Sequence, residues 1–228
     1  MAWLRLLFLT IIARPLARFL TGADVVGREN LPSHGPAIIA ANHNSHVDTL
    51  LLLTIFPART MARLRPAAAA DYFLKGPVIG WFSRNVIGIV PVARDRAGSG
   101  EDVLKPAREA LARGDIIIIF PEGTRGDASD GMGRLRHGVA RLAEAFPEAL
   151  VTPVWLEGAG RVLPKGAHVP VPMNCTVLVG QPLRWDGDRQ GFMETLRQSL
   201  LALRSQAPPQ RWREERSTDA PGDPPAVS

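Results

Sequence analysis

The chain has a single cysteine, Cys175, in 228 residues. That excludes an intrachain disulfide and any multi-cysteine metal site, and it fits a reducing compartment. No run reaches the roughly 20 apolar residues that cross a bilayer. The nearest, Leu6 to Ala13, stops at Arg14. No small-x-small pattern follows it, which argues against a cleaved signal peptide. Zinc-finger spacing, an aromatic-plus-basic RNA-binding signature and a long block of like charge are all missing, so nucleic acid is the weakest partner class. No internal repeat occurs.

What is present is a chain with 46% apolar residues and a formal net charge of +5, arginine greatly outnumbering lysine. That suits one sizeable domain with flexible ends and anionic partners such as lipid headgroups or phosphorylated substrates. At about 100° per residue, Thr10, Arg14, Arg18 and Thr21 fall on one side of an N-terminal helix, and Phe8, Leu9, Ile12, Leu16, Phe19 and Leu20 on the other. Residues 1–22 therefore read as an amphipathic, membrane-associating segment. Pro15 should kink or divide it. Arg5 lies on the apolar side, against the pattern.

Strand and helix patterns then alternate. Ala37–Ala41 reads as a buried strand, Ser45 to Phe56 as a helix, Ala67–Ala70 as a short strand, and Tyr72 to Asn85 as a broken helix. Val86–Val92 reads as a strand, Glu101–Arg113 as a helix, and the run Ile116-Ile117-Ile118-Ile119-Phe120 as a strand covered on both faces. Leu135–Phe146 (helix), Val151–Leu156 and Cys175–Val179 (strands) and Gly191–Arg204 (helix) complete the pattern. The expectation is an α/β domain over residues 23–204, its central sheet largely parallel and covered by helices on both faces. A disordered tail, rich in proline and charge, follows from 205 to 228.

Four blocks stand where strands end. Asn42-His43-Asn44-Ser45-His46-Val47-Asp48 follows the first buried strand. A histidine there suits a general base. With His43 in the loop and Asp48 in the first helical turn, the carboxylate fixes the imidazole tautomer and stabilises the imidazolium. Ser45-x-x-Asp48 is also a capping box, a structural role compatible with the first. The second block, Gly88 to Arg94, places an arginine fork after a strand. The third, Phe120-Pro121-Glu122-Gly123-Thr124-Arg125, offers backbone amides and a guanidinium to an anion, with Glu122 orienting Arg125 or an acceptor hydroxyl. In the fourth, Val151-Thr152-Pro153-Val154, proline stands at a strand start.

In this order the four blocks resemble the motifs of the glycerolipid acyltransferase superfamily, whose best-known members are 1-acyl-sn-glycerol-3-phosphate acyltransferases. The resemblance covers about residues 20–185. It implies an α/β acyltransferase domain with no bound cofactor or metal, working at a membrane's cytoplasmic face as a peripheral or monotopic protein. Acyl-CoA or acyl-carrier protein would be the donor and a lysolipid the acceptor. His43 and Asp48 would be catalytic, and Arg94, Glu122, Gly123, Thr124 and Arg125 would bind substrate. Asn42, Ser45, Gly88, Pro121 and Pro153 would support them. Many lysophosphatidate acyltransferases carry a basic stretch between the first two motifs; here Asp71 stands where a lysine is expected, although Lys75 is near. That departure leaves another lysolipid, or an amino-acid-headed lipid, open as acceptor. Two other readings remain at this level: a metal-dependent hydrolase using His43, His46 and Asp48, and a lipid-binding module without catalysis.

Overall fold

The structure is a computed structural model that describes residues 2–45, 47–69, 76–92, 102–123, 132–163 and 169–208. Among the described residues seven strands form one sheet: β1 (Asp24–Val26), β2 (Ala37–Ala41), β3 (Leu64–Ala69), β4 (Val90–Val92), β5 (Ile116–Ile119), β6 (Leu150–Glu157) and β7 (Thr176–Val179). Their order is β1-β7-β6-β2-β5-β3-β4. Every pairing is parallel except β6 with β7. The helices are α1 (Ala2–Phe8), α2 (Arg14–Thr21), α3 (Val47–Thr54), α4 (Ala58–Met61), α5 (Pro77–Phe82), α6 (Lys105–Ala112), α7 (Gly138–Ala145), α8 (Ala159–Val162) and α9 (Arg189–Gln206).

Alternation along each strand sorts the core into two layers. Ile39, Ile116, Ile118 and Val154 pack with Leu51, Leu52 and Phe56 of the α3 region and with Leu9 and Leu20. Ile38, Ile117, Ile119 and Trp155 pack with Ala107 and Leu111 of α6, Val139 and Leu142 of α7, and Phe192 and Leu196 of α9. The tetra-isoleucine run is thus buried on both faces, as its unbroken apolar character requires.

Several element boundaries differ from the sequence reading. Of Val86–Val92 only Val90–Val92 is a strand, because Ser83–Ile87 forms a π-turn that closes at Gly88 (φ 78°). Leu135 is buried, but α7 starts only at Gly138. Pro153 lies within β6, beside Ala40, instead of at a strand start. An inner strand tolerates it for a local reason. Its carbonyl accepts from Gly180 N–H on the β7 side, so its missing N–H points the same way, where β7 has already ended.

The N-terminal segment differs most. Pro15 leaves the helical path unbroken. A proline clashes with the carbonyl four residues back; here Leu9–Ala13 widens into a π-turn, in which Arg14 N–H reaches the Leu9 carbonyl, and the helix continues. The two faces are also not partitioned as the wheel suggests. Leu9, Leu20 and Thr21 are buried, whereas Trp3, Leu7, Ile11, Ile12, Leu16 and Phe19 are exposed. Arg14 turns inward and donates to the carbonyls of Thr54 and Phe56, while Arg28 donates to Ile55. These are orphan carbonyls at and beyond the end of α3, so the arginines serve as its C-terminal partners.

Arg5 is buried and explains its own misfit. Its guanidinium donates to the carbonyls of Ala62, Leu64 (2.6 Å) and Ile87 (3.1 Å). Burial lowers its pKa from the ordinary arginine value to about 10, which leaves it charged at neutral pH. Gly88 is what admits it: a Cβ there would stand 2.8 Å from the Arg5 Nε. Arg5→Met should therefore lower stability by about 2–3 kcal/mol, the scale of charge-assisted hydrogen bonds. Arg5→Lys should recover only part of that, since an ammonium lacks the fork; urea denaturation midpoints read both.

Candidate active site

Register brings the first and third blocks together. Ala40 pairs with Ile119 in parallel strands, so three residues further on His43 faces Glu122. The two are joined: His43 N–H donates to Glu122 Oε1 at 3.2 Å. The other carboxylate oxygen accepts from Gly133 N–H at 3.4 Å. Glu122 thus ties the end of β2 to the segment leading into α7. The sequence reading had given it to Arg125 or an acceptor hydroxyl.

The His43 ring is held on three sides. Nδ1 stands 3.0 Å from Asp48 Oδ2. The ring stacks on Phe120 at a centroid distance of 4.1 Å and 23° between planes. Its backbone is fixed through Glu122. With Nδ1–H donating to the carboxylate, the lone pair is on Nε2. The His43 side chain is 19% exposed and that of Asp48 fully buried, so the orienting group lies within and the imidazole at the rim.

Asp48 Oδ2 also accepts from the N–H groups of Asn44 (2.6 Å) and Ser45 (2.7 Å). The bond to Ser45 is the carboxylate half of a capping box. The Ser45 hydroxyl accepts from Val47 N–H and donates to the Leu163 carbonyl. Free N–H groups at the β2–α3 junction would suit an oxyanion hole, but those of His43, Asn44 and Ser45 are all taken by carboxylates.

Asn42 is buried and copies a strand partner. Its amide donates to the Leu156 carbonyl at 3.0 Å and accepts from the Leu156 N–H at 2.6 Å. The loop is thereby sealed to β6 just beyond the last β2–β6 pair, Ala41 with Val154. Pro121 is buried, and its carbonyl accepts from Arg136 N–H at 2.8 Å. Gly123 has φ 71° and lies against the Arg136 side chain. Phe120, Gly133 and Arg136 went unassigned in the sequence reading. Phe120 was visible as the first residue of its block, whereas the other two depend on how the chain returns.

Arg94, Thr124 and Arg125, with His46, Asp71 and Lys75, lie outside the described residues. Among the described residues no group of three or more histidine, cysteine or acidic side chains is arranged to hold a metal ion. Cys175 is buried, and burial pushes its thiol up to about 11, which disfavours the thiolate a nucleophile needs.

A histidine–carboxylate pair at the carboxyl edge of a parallel sheet, joined to a Pro-Glu-Gly turn, defines an α/β domain equipped for proton transfer. The chain belongs to the Acyltransferase family, whose sequence profile matches residues 22–157. It is 32% identical over 163 residues to a chloroplastic 1-acyl-sn-glycerol-3-phosphate acyltransferase of Arabidopsis thaliana, covering 70% of this chain and 43% of the relative. It is 28% identical over 194 residues to the 1-acyl-sn-glycerol-3-phosphate acyltransferase of Pseudomonas aeruginosa, covering 82% and 70%. The chain thus spans less than half the length of the plant relative. The crystal structure of the 1-acyl-sn-glycerophosphate (LPA) acyltransferase PlsC from Thermotoga maritima shares the fold, with a TM-score of 0.62 and 24% identity over 87% of this chain and 79% of that one.

Asn42→Ala should leave both Leu156 backbone groups unpaired in a buried place, at about 1–3 kcal/mol for each. Thermal unfolding should show the loss, and the Asp48 contacts should loosen with it, visible as a changed His43 ring resonance.

Proposed function

We propose that the protein is an O-acyltransferase that moves a fatty acyl group from acyl-CoA or acyl-carrier protein to the hydroxyl of 1-acylglycerol-3-phosphate, giving phosphatidic acid, or of a related lysolipid. The observation that carries this reading is the His43 Nδ1–Asp48 Oδ2 contact of 3.0 Å in a ring fixed by Phe120 and Glu122. The relatives named as 1-acyl-sn-glycerol-3-phosphate acyltransferases support it. The acceptor hydroxyl gives its proton to His43 Nε2 as its oxygen attacks the thioester carbonyl. The C–S bond breaks, and the leaving thiolate takes up the proton that His43 then gives back. Asp48 stabilises the imidazolium in between. Arg94, Thr124 and Arg125 are the further candidates for substrate contact.

The same reading puts residues 1–22 at a membrane's cytoplasmic face, bound peripherally or monotopically. No helix among the described residues is long and apolar enough to cross a membrane. The outward face of α1–α2 is nonetheless apolar, with Trp3 71% and Phe19 72% exposed. Val78, Ile79, Trp81 and Phe82 of α5 are exposed too, and Phe82 meets Phe8 edge-to-face at 5.2 Å. Apolar patches of this kind mark sites of membrane or protein contact, and the lysolipid acceptor lives in a membrane.

Transfer of labelled acyl-CoA to a panel of lysolipids, lysophosphatidate included, should succeed with the wild type. His43→Ala should lower turnover by about 10²–10⁴ with an unchanged circular dichroism spectrum. A near-normal rate in that variant would sink the base assignment. Failure with both donor types would leave a lipid-binding module. For the membrane, changing Trp3, Ile11 and Phe19 together to serine should weaken vesicle binding by on the order of 10² or more, since each large apolar side chain is worth about 1.5–3 kcal/mol when buried. The urea midpoint should hardly move, because all three are exposed in the folded protein.

A further inference from the structure

Gly123 stands in the Pro-Glu-Gly turn with φ 71°, and something occupies the space that a side chain would fill. A Cβ at this position would lie 2.4 Å from Arg136 Nε and 2.8 Å from Arg136 Cδ. The guanidinium therefore rests on the bare backbone of the turn, one residue from Glu122, whose Oε1 accepts the His43 N–H. The base of the side chain is fixed from two directions. Arg136 N–H donates to the Pro121 carbonyl at 2.8 Å, and Leu135 next to it is buried in the core. Arg136 itself is exposed, and among the described residues its guanidinium makes no ion pair.

We infer that Arg136 binds the anionic headgroup of the acceptor, a phosphomonoester, in the corner between the Pro-Glu-Gly turn and His43. This rests on the acyltransferase reading above and names one of its contacts. The chemistry fits: a planar fork of donors grips phosphate oxygens in two-point fashion, and a backbone-anchored arginine loses little freedom in doing so. Glycine at 123 lets the fork lie flat beside Glu122 instead of standing off the turn. Glu122 directs both its oxygens to backbone N–H groups, so the carboxylate is engaged on the His43 and Gly133 side. The missing lysine near Asp71 then costs the site less, because a cation is supplied from the far side of the third motif.

The test uses the full chain and the variants Arg136→Met, Arg136→Lys and Arg134→Ala. Methionine keeps the packing length without the charge. Arg134→Ala removes an equal charge from the same segment, two residues away, and controls for the general field. Arg136→Met should raise KM for lysophosphatidate about 10–100-fold, the range for losing a hydrogen bond to a charged group. It should leave KM for acyl-CoA and for an uncharged monoacylglycerol acceptor unchanged. Inhibition by glycerol 3-phosphate should weaken by the same factor, and Arg136→Lys should fall between. An unchanged KM in Arg136→Met, or an equal rise in Arg134→Ala, would overturn the assignment while the acyltransferase reading stands. A wild type that transfers only to uncharged acceptors would also overturn it and keep the acyltransferase reading, whereas no transfer to any acceptor from either donor would bring down both.

Discussion

Parallel pairing of β2 with β5 on one side and β6 on the other is the constraint from which the rest follows. It makes three chain segments end at one edge with their residues in step. Asn42 meets Leu156, His43 meets Glu122, and the loop between them needs no long reach. An edge built this way is fixed by sheet geometry, so the imidazole is placed to within a hydrogen bond by elements whose cores are fully buried. The site itself then needs few residues of its own. Asp48, from the first turn of α3, finishes it by gathering the ring and two backbone N–H groups on one oxygen.

What the sequence made legible was mostly local. The tetra-isoleucine strand, the loop position of His43 and the first-turn position of Asp48 all follow from short patterns, and the parallel sheet from their alternation. What it hid was tertiary. A charged side chain on an apolar helix face looks like a flaw until the carbonyls of Ala62, Leu64 and Ile87 converge on it. Arg14 read as part of the polar side of the N-terminal helix because a helical wheel does not show that α3 ends beneath it. Pro153 looked like a strand start because the early end of β7 is invisible in the residues around the proline. The tie between the His43 N–H and Glu122 was hidden for the same reason: Glu122 follows a strand whose register with β2 is a property of the sheet.

Two of these glycines are readable only through their neighbours. Gly88 and Gly123 both have positive φ, and both admit a guanidinium where a Cβ would intrude. In each case a loop glycine and a distant arginine form one unit, so neither can be understood as a turn residue alone. The pairing also divides the arginines by task. Arg5, Arg14 and Arg28 complete backbone ends inside the fold, whereas Arg136 faces outward from an anchored backbone.

Arg5 also keys the N-terminal helix. A helix held only by apolar packing can roll about its axis at small cost. One whose guanidinium is threaded into three carbonyls beside Gly88 cannot roll without pulling a charge out of its socket. The azimuth of the outward strip, from Trp3 to Phe19, is therefore set relative to the sheet. Whatever plane that strip rests on, the edge that carries His43 meets it at one fixed inclination.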